Sequence, residues 1–239
     1  PPRALVRFLD ENQDVKGHVA EAFKRRFAVD VISMREFRGD LSISVKRDNI
    51  KQILRTLKAD PEFDFKMLLD VTAVDYLSQR DSRYDIVYHL LSLSNKHRLR
   101  LKAAVAAEHP SIDSAIDIWK GADWSEREAF DMFGIQFKGH PDLRRILTHS
   151  QFEGHPLRKD FPPGQRTMCT ETINLPVVER ARKYAESMGV DHPQILNVGP
   201  QHPAMHGRFR LQVAGDGERI IDADTEIGFL HRCFEKMSE

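Results

Sequence analysis

The sequence predicts an α+β fold in which a mainly antiparallel sheet has helices on one face. Three β-type segments follow one another at residues 66–76, 84–92 and 98–106, with turn signals between them. Segments with helical spacing flank this group on both sides. Beyond it, the sequence predicts an extended arm, a linker and the first β-hairpin of a second domain.

Four elements are predicted before the three strands. Residues 15–27 carry apolar side chains near helical spacing. Residues 29–34 predict a strand, and residues 41–45 alternate with period two and predict another. A helix with one apolar face follows, and either Asp48 or Asn49 can cap its N-terminus.

Two shorter helices are predicted after the three strands. Ser111 or Asp113 is suited to cap a helix that ends at Trp119, and Ser125 with Glu128 forms a capping-box pattern for the next one. That second helix is rich in charge. Paired catalytic carboxylates would give such a pattern, but ion pairs on a helix surface give the same pattern and are favoured.

Helical and strand periodicity is lost between residues 139 and 163, which predicts an extended arm without a core of its own. Its basic residues are Arg144, Arg145, Arg158 and Lys159. Phosphate binding is one interpretation, but no Gly-rich loop leads into a helix here. Salt bridges between the arm and a neighbouring subunit are favoured.

The predicted domain organisation has four parts. An amphipathic segment at residues 177–188 predicts a short helix inside the linker. The chain begins with two prolines and stops inside a predicted helix at residues 230–239, so we expect it to be a piece of a longer protein. The parts are an α+β domain at 1–138, the arm at 139–163, the linker at 164–194 and the start of a second domain at 195–239.

Composition excludes several classes of protein. The 36 basic and 36 acidic residues balance, so bulk charge gives no reason to expect nucleic acid as a partner. No apolar run approaches the ~20 residues that cross a bilayer. The two cysteines, Cys169 and Cys233, are too few for an iron–sulfur cluster, and their spacing does not fit a zinc site.

Residues 199–207 hold two histidines, His202 and His206, among prolines and glycines that exclude a helix. Apolar residues alternate on either side of this stretch. The pattern therefore predicts a loop between two strands that presents the imidazole rings at its tip.

Three interpretations of His202 and His206 stay open on the residues alone. The rings could bond to backbone carbonyls, or one could donate a hydrogen bond to a ligand oxygen. A metal site would need further ligands, for which His231, Cys233 and Glu235 are available in a separate element.

A succession of motifs gives the chain a family resemblance. Residues 84–92, 124–135, 139–147 and 154–162 resemble the C part, and residues 197–207 the D part, of the fused C–D subunit of bacterial respiratory complex I, NADH:quinone oxidoreductase. Residues 227–232 continue the D part.

The resemblance implies roles for three residues. His206 would hydrogen-bond a quinone carbonyl, His202 would bind the quinone and support the loop, and Arg232 would lie close to the terminal [4Fe–4S] cluster of a partner subunit. The sequence departs from the family's usual residues at Thr225-Glu226 and at Cys233, and these departures affect the surroundings of Arg232. The family's second quinone contact, a tyrosine, would lie beyond Glu239.

The resemblance also implies cofactors, partners and location. By this resemblance, quinone would be the substrate, this chain would bind no cofactor, and FMN and iron–sulfur clusters would belong to partner subunits. Partners would be other peripheral-arm subunits and, indirectly, the membrane arm, at the cytoplasmic face of the bacterial inner membrane.

Two rival functions belong to other classes. One is the large subunit of a membrane-bound [NiFe]-hydrogenase or formate-hydrogenlyase complex, for which a Cys-x-x-Cys pair soon after this chain would decide. Gly207 after His206 favours the quinone enzyme. The other rival is a scaffold without a redox role.

Overall fold

The structure, a computed structural model, describes residues 17–164, 175–188 and 193–238. Contacts divide the chain into two compact units. The first comprises Pro1–Arg144 and Leu157–Phe161, and the second comprises Arg145–Pro156 and Pro162–Glu239. Cys169 and the start of the helix predicted from residue 15 lie outside the described residues, as does much of the predicted linker.

A five-stranded sheet forms the first unit, with the strand order β1-β2-β5-β4-β3. β3, β4 and β5 pair antiparallel in succession, as predicted, while β2 pairs parallel with β5. The parallel pair arises because a helix separates β2 from β3 and lets the chain cross over the sheet. The α+β prediction is thus confirmed. The strands are β1 Val31–Phe37, β2 Asp40–Val45, β3 Met67–Asp75, β4 Tyr84–Ser92 and β5 His97–Val105.

Helices α1 (residues 17–26), α2 (Ile50–Ala59) and α3 (Ala122–Phe133) belong to the same unit. α2 buries the four apolar residues at positions 50, 53, 54 and 57, which the sequence placed on one face. Alternate residues of β2 and β5 are buried. One face of these strands therefore lines the core, and their other face carries polar side chains.

The helix predicted between Ser111 and Trp119 is absent. Ser111–Asp113 instead forms a short strand, β6, that pairs parallel with β7, Gln136–Lys138. The segment is held by this ladder and by Ser114, whose backbone N–H donates to the carbonyl of Lys138 at 2.9 Å. These contacts of higher sequence separation outweigh the local capping preference of Ser111 and Asp113.

α3 differs from the prediction at its start. It begins at Ala122, so Ser125 lies inside the helix and the predicted capping box is wrong. The helix ends as expected at Gly134, whose φ of 76° is left-handed. Glu126, Arg127 and Asp131 are buried, so they are not surface ion-pair residues.

Glu126 is a buried carboxylate on α3. It accepts hydrogen bonds from the Ser114 hydroxyl and the Ala115 backbone N–H, both at 2.6 Å. Burial nevertheless dominates and raises the pKa of Glu126 to about 7.

A buried ion pair attaches Leu157–Phe161 to the sheet. The Arg83 guanidinium donates to both oxygens of Asp75, at 2.9 and 2.7 Å, and to both oxygens of Asp160, at 3.0 and 2.8 Å. The Lys159 backbone N–H also donates to Asp75, at 2.9 Å. Burial opposes ionisation of Asp75, but these bonds and one from the Leu77 backbone N–H together lower its pKa. We name Asp75, Arg83 and Asp160 the carboxylate clamp.

The second unit contains a three-stranded antiparallel sheet in the order β10-β9-β8. α4 packs on it through a small apolar cluster made of Leu175, Val177, Ala181 and Ala214. α5 is shorter than predicted, because Cys233 is left-handed (φ 50°) and the helix starts only at Phe234. The elements are α4 Pro176–Met188, β8 Gln194–Val198, β9 Arg210–Asp216, β10 Arg219–Glu226 and α5 Phe234–Met237.

None of the helices in the described ranges combines the length and the apolar character that crossing a bilayer requires.

Replacing Glu126 with Gln should flatten the pH dependence of stability. The pKa of Glu126 is about 7 in the folded chain against 4.5 for an ordinary glutamate, so the folded state binds the proton more tightly. This group's contribution to the free energy of unfolding is therefore full below about pH 4.5 and is lost as pH rises to about 7. Urea unfolding at pH 5 and pH 8 should show a difference smaller by on the order of 2–3 kcal/mol in Glu126→Gln. Glu21→Gln, at an exposed position of α1, is the matched control. An unchanged pH dependence in Glu126→Gln would contradict the assignment.

The two carboxylates of the clamp should differ in their contribution to stability. The side chain of Asp75 is 1% exposed and that of Asp160 is 51% exposed. Asp75→Asn should therefore lower the free energy of unfolding by about 2–4 kcal/mol, because it removes the buried one of the two carboxylates that neutralise the Arg83 guanidinium. Asp160→Asn should cost about 1 kcal/mol or less. Denaturant unfolding of the two variants measures both values, and equal costs would show that burial does not set them.

Candidate functional site

The two candidate histidines lie on a loop between paired strands. β8 and β9 pair antiparallel, with Gln194 opposite Gly215 and Val198 opposite Leu211. The prediction that residues 199–207 form a loop between two strands is confirmed. Both His202 and His206 are exposed.

Backbone hydrogen bonds make this loop compact. Pro203–Met205 forms one 3-10 turn, and the Met205 N–H donates to the carbonyl of His202 at 2.9 Å. The Gly207 N–H donates to the Pro200 carbonyl, also at 2.9 Å, and so closes the loop across its base. The two rings are therefore presented from an ordered backbone.

Gly199 is required where β8 enters the loop. Its φ is +91°, and a Cβ atom there would lie 2.6 Å from the Phe209 carbonyl oxygen and 2.8 Å from Cγ of Met205. Gly207 also has a positive φ, +72°, but a Cβ atom there would meet nothing within 4 Å. Any side chain at Gly199 would force the two strand ends apart.

The structure distinguishes His202 from His206. His202 occupies the N-cap of the 3-10 turn, and its Nδ1 accepts the Ala204 backbone N–H at 3.2 Å. When neutral, this ring therefore carries its proton on Nε2. His206 has left-handed backbone (φ 50°), and no hydrogen bond from its ring to another described residue is formed. Within the described part of the chain, nothing occupies its two ring nitrogens, which a ligand could therefore reach.

A buried amide supports the hairpin, and sequence reasoning missed it. Gln212 on β9 is 1% exposed, and its Oε1 accepts the Leu175 N–H at 2.9 Å. Its Nε2 donates to Oδ1 of Asn197 on β8 at 2.8 Å. Gln212 thus joins both strands of the hairpin to the start of α4.

The buried face of β9 carries Arg210, Gln212 and Ala214, whereas Leu211 and Val213 are half-buried. Arg210 pairs with Glu226 of β10 at 2.8 Å. The sequence signal for this buried polar face was that Gln212 and the small Ala214 occupy alternate positions of the strand. The apolar residues Leu211 and Val213 obscured it, because they suggested that the opposite face was buried.

Arg232 lies on a different segment of the same unit and is exposed. It follows a turn in which the His231 N–H donates to the Gly228 carbonyl at 2.9 Å. Gly228 has a φ of +99° and packs directly on the backbone of Leu147, where a Cβ atom would overlap the Leu147 carbonyl. The backbone of Leu147 therefore lies against the turn that precedes Arg232.

All four basic residues of the predicted arm contact their own chain. The Arg144 guanidinium pairs with Asp142 at 2.8 Å, and Arg145 donates to the Gly154 carbonyl at 2.9 Å. Arg158 donates to the Phe133 carbonyl at 2.6 Å, and the Lys159 backbone N–H bonds to the clamp. Their assignment to an interface between subunits stays a prediction.

A metal site would need at least three suitable side chains close together. Within the part of the chain that the structure describes, no such group of His, Cys, Asp and Glu is formed. Cys233 Sγ lies 3.5 Å from Nδ1 of His231, a contact between neighbours in sequence.

Comparison with known proteins identifies the family of this chain. Residues 43–167, more than half of the chain, match the family described as "Respiratory-chain NADH dehydrogenase, 30 Kd subunit". The chain belongs to this family.

Two relatives show how far the similarity to this family extends. The C/D subunit of the NADH-quinone oxidoreductase of Bdellovibrio bacteriovorus is 44% identical over 214 residues, which are 90% of this chain and 37% of that protein. The C subunit of the NADH-quinone oxidoreductase of Citrifermentans bemidjiense is 52% identical over 139 residues, which are 58% of this chain and 84% of that protein. The chain thus spans about a third of the length of the fused relative.

One solved structure with this fold is an archaeal membrane-bound sulfane sulfur reductase. It is 24% identical, has a TM-score of 0.54, and the match covers 62% of this chain and 86% of that one. This likeness shows the fold alone.

Replacing Gly199 and Gly207 with alanine, one at a time, should distinguish the loss of stability caused by steric overlap from the loss caused by backbone strain. Gly199→Ala combines a positive φ with overlap on Phe209 and should lower the free energy of unfolding by about 2–3 kcal/mol. Gly207→Ala has the same backbone requirement in open space and should cost about 1 kcal/mol. Urea unfolding of the chain and of both variants, followed by far-UV circular dichroism, measures the difference. A Gly207→Ala cost as large as that of Gly199→Ala would refute the overlap.

Proposed function

We propose that the chain is part of the peripheral arm of a proton-translocating NADH:quinone oxidoreductase. There it takes part in assembly of the hydrophilic arm and forms one wall of the quinone-reduction site. Membership of the 30 kDa family and the similarity to C and C/D subunits of NADH-quinone oxidoreductases support the enzyme. The observation that carries the quinone wall is the ordered loop on which His206 is exposed, with no ring hydrogen bond to another described residue.

His206 suits the chemistry of quinone reduction. A quinone that takes up electrons accumulates negative charge on its carbonyl oxygens before protons arrive. An imidazole N–H held on a rigid loop can donate to such an oxygen, and a protonated ring can also supply the proton. Gly199 and the hydrogen bond from Gly207 to Pro200 fix the backbone of the loop. Binding of a quinone to the His206 ring would therefore cost little conformational entropy of the loop.

His202 would act mainly by supporting this loop at the quinone. Its Nδ1 is already used by the Ala204 N–H, which leaves Nε2 as the atom that could face the substrate. The two histidines therefore have separate tasks, with His206 as the catalytic contact and His202 as the cap that holds the turn in place and a second quinone-binding side chain.

Arg232 would lie close to the terminal [4Fe–4S] cluster of a partner subunit. A guanidinium is charged at every physiological pH, and a fixed positive charge near a cluster favours its reduced form. The exposure of Arg232 and the backing of its turn by Leu147 are consistent with this role. This chain would bind no cofactor itself, since FMN and the clusters would belong to partners.

The remaining partners follow from the same proposal. Arg144, Arg145, Arg158 and Lys159 would contribute to contacts between subunits, chiefly with the one that carries the terminal cluster. The complex would lie at the cytoplasmic face of the bacterial inner membrane, with this chain peripheral to the membrane arm.

Removing the His206 imidazole in the complete enzyme tests the proposal. His206→Ala should lower NADH:quinone turnover at least about tenfold, because the donor to the developing oxyanion is lost. NADH oxidation by ferricyanide, which takes electrons before they reach quinone, should stay unchanged in the same preparation. Both rates are measured on membranes that contain equal amounts of the enzyme.

His202→Asn is the matched control. Asparagine is a good N-cap and can still accept the Ala204 N–H, so the loop should keep its conformation and turnover should fall less than in His206→Ala. Unchanged quinone turnover and quinone affinity in His206→Ala would reject the catalytic contact and support the scaffold instead.

A further inference from the structure

The open face of the five-stranded sheet carries a cleft of about 400 Å³. Pairing register explains its composition. Arg35 on β1 lies opposite Ser42 on β2, and Ser42 lies beside Arg100 on β5. Ser44 similarly lies beside Lys102. Small hydroxyl side chains therefore form the floor, and long basic side chains stand on either side of it.

Positive charge predominates in this cleft. Its lining includes Arg35, Arg80, Arg100 and Lys102, against a single carboxylate, Asp85. Asp85 is buried and already paired with Arg80 at 2.5 Å. The Asp85 carboxylate therefore neutralises Arg80 and not the other cations of the cleft.

The remaining cations are poorly neutralised. Among the described residues, Arg100 has a long contact of 3.7 Å to the exposed Asp40 and a hydrogen bond to Ser42. Neither Arg35 nor Lys102 forms an ion pair with any other described residue. Like charges gathered on one sheet face repel one another, so this arrangement calls for an anionic occupant.

We propose that this cleft docks a carboxylate-rich segment of a neighbouring subunit. Its poorly neutralised cations come from two strands, β1 and β5, which flank β2, and neighbouring strands are about 4.8 Å apart. The positive charge is therefore spread along a surface, which fits carboxylates spaced along a peptide. Most of the lining consists of side chains on sheet positions, in contrast to the backbone N–H cradles that bind phosphate groups.

Two further features fit a protein segment. Phe37 lies at the cleft and is 56% exposed, so it offers apolar surface to a partner side chain. Ser33, Ser42 and Ser44 can each donate a hydroxyl hydrogen bond to a carboxylate. That the occupant belongs to another part of the same enzyme rests on the proposed function, whereas the anionic preference of the cleft does not.

Binding of a fluorescein-labelled octaglutamate peptide to the full chain tests the cleft. Fluorescence anisotropy at low ionic strength should show binding that weakens as NaCl is raised. The double variant Arg35→Glu with Lys102→Glu should bind the peptide at least about tenfold more weakly. Arg35→Gln with Lys102→Gln should give a smaller loss in the same direction and serves if the charge reversal impairs folding.

Lys24→Glu with Lys120→Glu changes the net charge equally at exposed sites that do not line the cleft. This control should alter peptide binding less than about twofold. An equal loss in the control, or no loss in either cleft variant, would overturn the proposal. Displacement of the peptide by inorganic tripolyphosphate at lower concentration than by unlabelled octaglutamate would also overturn it, in favour of a small-anion site.

The complete enzyme tests the docking partner. Arg35→Glu with Lys102→Glu should lower the amount of this chain that stays in the purified complex at raised NaCl, while His206→Ala should leave that amount unchanged. Full retention of the charge-reversed chain would overturn the docking role, whatever the effect of His206→Ala on quinone turnover.

Discussion

The carboxylate clamp is the contact on which the organisation of the chain depends. Asp75 ends β3, Arg83 precedes β4, and Asp160 lies in a segment more than 75 residues further on. A buried carboxylate is stable in ionised form only when donors surround it, and here the guanidinium and two backbone N–H groups do so. The chain leaves the first unit after Arg144 and contributes to it again at Leu157–Phe161, where the clamp holds it.

Short-range pattern predicted a continuous β-type run and a helix with one apolar face. β4 was predicted at its observed bounds, and α2 buries the four residues assigned to its apolar face. Predictions from capping residues failed at Ser111 and Ser125, because ladder pairing and helix packing of distant residues outweighed a preference worth about 1 kcal/mol. The burial of Glu126 could not be predicted from the sequence either, because the groups that donate hydrogen bonds to it come from the preceding strand–turn segment.

The candidate site was predictable in part. Prolines and glycines between alternating segments were enough to place residues 199–207 on a hairpin loop. They could not distinguish the two rings, because the bond from Ala204 to His202 depends on the conformation of the 3-10 turn. Gln212 was missed for a related reason: a buried amide can be recognised only once Leu175 and Asn197 are known to meet it.

Gly228 and Leu147 make a contact in which the two positions carry unequal constraints. The glycine touches main-chain atoms of Leu147 and not its side chain. Position 147 could therefore exchange its side chain without disturbing this contact, whereas position 228 tolerates no side chain at all. Random mutagenesis of both positions should therefore recover many different residues at position 147 but only glycine at position 228.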